Sequence, residues 1–236
     1  MNPFRALGGF FSEPGKTFEG LVKAPTWWLP MLLLVVSVAA SIWVASPKMD
    51  YEQMMRESLE KRAEKTGAKV SETQVSDLAE RSRKFAWLGA PIGTVVVAVV
   101  AFGVAGVLWG SAKAFGGEIG YAQMLAIYGH ANLPNVAGTI VAIPLFLAQP
   151  DASLTQKSAA RVLASNLGAL LPFDAPSALY AAASSVDLFS LWCLTLLVIG
   201  FRKIPELPRG AATAIPIVLW VLYVVGKVGW RLAFPL

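Results

Sequence analysis

The sequence predicts an all-α integral membrane protein that crosses the bilayer five times. Three observations carry that prediction. The 236 residues are 56% hydrophobic and only 15% charged, with a mean hydropathy of +0.57, whereas soluble domains carry about 25% charged residues. Apolar runs of about 20 residues, long enough for a helix to cross the hydrocarbon core, recur along the chain. Tryptophans stand at the borders of these runs, at Trp27, Trp28, Trp43, Trp87 and Trp109, where amphipathic rings mark the membrane interface.

The elements follow in order. Residues 1–26 form an N-terminal tail in which Phe4, Leu7, Phe10, Phe11, Phe18, Leu21 and Val22 alternate with Arg5, Lys16 and Lys23. That pattern predicts an amphipathic segment lying on anionic lipid, with Phe10 and Phe11 in the bilayer surface. The stretch before the first apolar run, with Pro3, Pro14 and Pro25, is too long and polar for a signal peptide. Residues 27–236 form the membrane domain, with spans at about 27–46, 87–109, 121–147, 179–201 and 213–234. An odd number of crossings puts the termini on opposite sides.

Residues 47–86 are the strongly polar stretch and read as a charged helical hairpin outside the bilayer. Asp50 with Gln53 and Ser71 with Gln74 are capping patterns, and Gly67 is a stop between the two helices. Glu52/Arg56, Glu57/Lys61, Asp77/Arg81 and Glu80/Lys84 are i,i+4 pairs in the favourable order. Residues 154–171 carry Lys157, Arg161 and Asn166 among leucines, a poor span and a plausible surface or re-entrant helix. With the N-terminus in the cytoplasm, seven Lys/Arg fall inside and thirteen outside, nine of them in the hairpin, so charge alone opposes that orientation.

Composition excludes several functions. One Cys and one His leave no disulfide framework and little for metal or nucleophile chemistry. The net charge of +5 comes from scattered basic residues mostly matched by acids, which suits anionic headgroups rather than nucleic acid. Phe115-Gly116-Gly117-Glu118 lacks the Lys-Ser/Thr ending of a phosphate loop. A hydrolase assembled from His130, Asp187 and a serine has no nucleophile-elbow pattern to support it. No cofactor is implied.

Two sets of residues stand out. Gly89-x-x-x-Gly93 and Gly106-x-x-x-Gly110, with Gly103 between, let a helix backbone approach a neighbour. Gln123, Tyr128, His130, Asn132 and Asn135 gather around Pro134 in the third span. They either line a polar pathway or satisfy a kink. Asp187 and Lys227 fall at equal depth on neighbouring spans, each 14 residues from the connecting loop. They either form an ion pair, or Asp187 caps a helix while Lys227 snorkels.

The run Val186-Asp187-Leu188-Phe189-Ser190-Leu191-Trp192, closing on Ile199-Gly200-Phe201, resembles the Yip family of Ypt/Rab-interacting membrane proteins, especially its bacterial members. Phe11, Pro14, Thr17 and Phe18 before Ala24-Pro25-Thr26-Trp27 are similar to that family's opening. Phe115-Gly116-Gly117, then Tyr121, Tyr128 and Pro134, are similar to its central block. The resemblance implies five helical spans, a cytosolic N-terminus and no catalytic residues. It implies vesicle trafficking with Rab GTPases for eukaryotic relatives, which carry a long polar region before the first span where a short tail is expected here. The expectation is a non-enzymatic scaffold or membrane-organising protein of a bacterial inner membrane, its partners the lipid bilayer and a second copy or other membrane proteins. The alternative is a small transporter or channel using His130, Asn132, Asn135, Asp187 and Lys227.

Overall fold

The computed structural model describes residues 3–67 and 69–233. The side chains of Arg5 and Phe11, and Phe234 at the expected end of the last span, lie outside the described residues. Two short helices open the chain, α1 (Pro3–Ser12) and α2 (Pro14–Lys23). Pro14 stands at the first position of α2, where a missing N–H leaves no bond unmade. Then come α3 (Trp28–Ala45), α4 (Tyr51–Thr66), α5 (Glu72–Phe85) and α6 (Gly89–Ala114). The expected third span is two helices, α7 (Tyr121–Ala131) and α8 (Leu133–Leu147). A four-residue α9 (Gln156–Ala159), a short α10 (Ser177–Ala183), α11 (Leu188–Phe201) and α12 (Arg209–Ala233) complete the order.

The all-helical class stands, with two isolated bridges but no named strand among the described residues. Among the described residues, three helical segments are long and apolar enough to cross a membrane, those containing α3, α6 and α12. The α7–α8 pair, bent by 40°, would make a fourth. The expected continuous span over 179–201 is corrected, because the chain leaves the helix between Ala183 and Leu188. At about 1.5 Å per residue, α11 reaches about 21 Å, short of a core about 30 Å thick. The expected helix over 154–171 is likewise replaced by α9, irregular chain and a 3₁₀ turn at Leu167–Leu170. Ser165 and Asn166 pair their backbone with residues 186–188 instead.

The chain divides into two compact units, Met1–Val36 with Val96–Gly138 and Ala164–Leu236, and Ser37–Val95 with Thr139–Leu163. In the first, α2 packs on both α7 and α11, and α12 packs on α10 and α11. The tail was expected on lipid, yet Phe10, Phe18 and Leu21 are 1%, 1% and 0% exposed and join a core with Met124, Ile127, Leu196 and Phe201. The apolar face of α2 is there, but protein covers it. Phe10 stacks on Trp192 with ring centroids 5.8 Å apart. Phe4, by contrast, is exposed.

In the second unit, α4 and α5 pack on each other. The Asp50 side chain accepts the Gln53 N–H at 2.9 Å and caps α4, and Gly67 ends it in the left-handed conformation at φ 69°. Ser71 occupies the cap position of α5 without a side-chain cap bond. Arg56 stands 3.7 Å from Glu52 but gives a two-pronged ion pair to Glu72, both contacts 2.6 Å. A long-range pair between helices thus takes over the guanidinium that the local pattern assigned within one helix. Residues 150–154 return to residues 47–50 through Ala152 N–H to Pro47 O and Asp50 N–H to Leu154 O, with Lys48 pairing with Asp151 at 2.7 Å.

Two outcomes follow. Phe18→Ala removes a fully enclosed ring and should destabilise the protein by about 3–5 kcal/mol, lowering its melting temperature in detergent, whereas Phe4→Ser should leave melting unchanged. The Arg56 hydrogen bond holds the Glu72 carboxyl below the ordinary carboxylate range. Its contribution is therefore complete above the ordinary Glu value and is lost as pH falls through the lowered one. The exchange protection factors of α4 and α5, corrected for the intrinsic rate, should fall under acid in the wild type, and Arg56→Ala should remove that fall.

Candidate functional site

The most informative residues converge where α11 meets its neighbours. Asp187 is extended, with φ −122° and ψ 143°, and its carboxylate accepts the Ser190 N–H at 2.9 Å. Its other oxygen accepts a short hydrogen bond from the Ser165 hydroxyl. On either side the backbone bonds Leu167 N–H to Val186 O and Leu188 N–H to Ser165 O hold the break closed, both at 3.1 Å. A negative cap at a helix N-terminus gains from the unpaired amides there. Asp187 is therefore the cap of α11.

Two residues on, Phe189 lies against Gly138 of α8, where an added Cβ would come within 2.9 Å of the ring. Trp192 meets Phe10. Two turns later, a Cβ on Gly200 would stand 2.6 Å from Ile127 and 3.2 Å from Phe18. Gly200 therefore lets α11 approach α2 and α7 at once. Gly129 does the same for Pro30, at 3.0 Å. Gly117, after the left-handed Gly116 at φ 88°, leaves room for the Ala112 carbonyl and Ile204. The Asp-x-Phe-x-x-Trp…Ile-Gly run and the Phe-Gly-Gly turn are thus packing residues.

The polar side chains of the expected third span bond mainly to nearby backbone and to one another. His130 is 0% exposed, and its Nδ1 lies 2.8 Å from the Ala126 carbonyl. A carbonyl only accepts, so Nδ1 carries the proton, and Nε2 is left buried without a partner. Asn132 ends α7, giving its side-chain N–H to the Tyr128 carbonyl at 2.9 Å. Its own carbonyl accepts from Val136 as α8 begins. Asn135 donates to the Asn132 side chain at 3.2 Å. Pro134 stands second in α8, where its lack of an N–H is harmless. Gln123 bridges the Gly120 N–H and the Val22 carbonyl, tying α7 to α2.

Lys227 meets partners other than the expected Asp187. Its ammonium donates to the hydroxyls of Ser184 and Ser185, both at 3.1 Å. Asp187 is occupied by Ser165 and Ser190, so the ion-pair reading is set aside. Sequence reasoning had passed over Ser165, Ser184, Ser185 and the tight glycines 129 and 138, and had marked Gly200 only as part of the family motif. Their signal was weak, since small residues are frequent throughout the chain. Of the singled-out glycines, Gly93 presses on Ile42, where a Cβ would lie at 2.5 Å, and Gly89 stands 3.7 Å from it. Gly106 has only Tyr121 at 4.0 Å, and Gly103 and Gly110 have open space.

Comparison with known proteins gives the chain a family. The model of the Yip1 domain matches residues 8–229. The chain belongs to the Yip1 domain family. It is also similar to a membrane protein of Bacillus subtilis strain 168, YknW, at 24% identity over 221 residues, covering 93% of this chain and 87% of that protein. No solved structure matches it. The matched region takes in α2, whose burial against α7 and α11 makes it part of the Yip1 domain's packed body.

Substitution at these positions should cost stability. Gly200→Ala forces Ile127 aside and should destabilise by about 1–3 kcal/mol, while Gly110→Ala, facing open space, should be neutral. Asp187→Ala loses the cap and should cost about 1 kcal/mol. Asp187→Ala and Lys227→Met should be additive in melting experiments, because they serve different partners.

Proposed function

We propose that this Yip1-family membrane protein works as a non-enzymatic scaffold that organises membrane components, rather than as a conduit. The observation that supports this best is the closure of the polar groups in α7 and α8. Asn132 bonds the Tyr128 carbonyl, Asn135 bonds Asn132, and the fully buried His130 gives its Nδ1 proton to the Ala126 carbonyl. A transport path needs polar groups presented to water. The exposed valines 96, 99, 100 and 107 of α6 form an apolar face for lipid, a second copy or another membrane protein.

In this reading the chain crosses a bacterial inner membrane five times, with α10 and α11 together making the fourth crossing. The N-terminus lies in the cytoplasm, and α4 and α5 lie outside the bilayer on the opposite face. Their mean polarity supports that placement, with eight charged residues among the sixteen of α4. The family resemblance supports the orientation, against the raw charge count.

Two measurements test the reading. In a Cys193→Ala background, cysteines at 130, 132 and 135 should stay unreactive to a membrane-impermeant thiol reagent. Rapid modification at all three would replace the scaffold with the transporter or channel. A reporter fused after Leu236 that is active only in the cytoplasm should be silent, and activity there would reverse the orientation.

A further inference from the structure

Lys227 lies six residues before the end of α12 at Ala233, about 9 Å along the axis. An ammonium has three N–H donors, and two of them go to Ser184 and Ser185. Those hydroxyls are also turned toward the Ala181 carbonyl, Ser185 at 2.8 Å and Ser184 at a looser 3.3 Å. Arg231 follows Lys227 by four residues, on the same helix face. Trp230 beside it is exposed, as an interfacial ring would be. Among the described residues, no carboxylate pairs with Lys227 or Arg231 within 4.0 Å.

Near the end of this helix Lys227 is answered by neutral hydroxyls and Arg231 stands one turn on, with no carboxylate paired to either among the described residues. Burying such charge away from water is costly, and an anion relieves it. The break between α10 and α11 is what places the two serines opposite Lys227. We propose that Lys227 and Arg231 bind the phosphate group of an anionic membrane phospholipid. The two cations match a phosphate in charge and donate to its oxygens, while the hydroxyls of Ser184 and Ser185 hold the Lys227 ammonium in place. Inorganic phosphate shares this chemistry, but a site in the last turns of an apolar helix is met first by headgroups. The inference needs α12 to lie in a membrane and does not depend on the scaffold reading.

The test uses the full chain in nanodiscs of phosphatidylcholine with a minority of phosphatidylglycerol, reading bound phosphatidylglycerol by native mass spectrometry. The double variant Lys227→Met/Arg231→Gln should bind phosphatidylglycerol about tenfold more weakly, the value of losing one charge-assisted hydrogen bond. Arg231→Gln alone should lose part of that affinity, and keeps the test usable if the double variant misfolds. Arg209→Gln, at the opposite end of α12, should retain full affinity. Equal affinity in wild type and variants, or an equal fall in Arg209→Gln, would overturn the site. Displacement of phosphatidylglycerol by inorganic phosphate would overturn the lipid as its occupant.

Discussion

The close approach of α11 to α2 and α7 at Gly200 is the constraint on which much of the first unit depends, because Phe18 and Ile127 occupy the space that any side chain there would fill. Two rings of the N-terminal segment, Phe10 and Phe18, are spent on this region, one on Trp192 and the other beside Gly200. Apolar side chains gain little from leaving lipid for protein, so association among membrane helices relies on close packing and hydrogen bonds. That explains why small residues meet large ones at each contact: Gly200 with Ile127, Gly138 with Phe189, Gly129 with Pro30. It also explains why an aromatic segment able to lie on lipid is instead enclosed.

Breaks in the apolar helices obey a second rule: a free backbone group in hydrocarbon must find a partner nearby. Between α7 and α8, Asn132 supplies it with its side chain and its own carbonyl. Between α10 and α11, the chain from Ser165 to Leu167 does so, helped by the Asp187 cap. The second break also collects hydroxyls opposite Lys227. The two breaks therefore differ in character. One is bridged by a neutral asparagine, whereas the other faces Lys227, which no carboxylate pairs among the described residues.

How much was readable differs from residue to residue. Asp50 and Gly67 were legible as cap and stop because both act on their own helix, within four residues. Asp187 as a cap was legible for the same reason. The two-pronged pair of Arg56 with Glu72 was not, because sixteen residues separate the partners. Nor was the choice between Gly93, pressed against Ile42, and Gly110, facing open space. Spacing marks where a helix can approach a neighbour, without saying whether one is there.

By itself the sequence determined that this is an all-helical membrane protein, where its apolar runs lie and which family it resembles. Those properties follow from composition, hydropathy and short motifs, all of which are local. Tertiary structure decided that α2 is core rather than lipid-facing, that the fourth apolar stretch is two helices, and that Lys227 meets serines rather than Asp187. An amphipathic face, a weak span and a depth-matched charge can each be satisfied by lipid, by water or by protein. Only the packing of distant segments settles which.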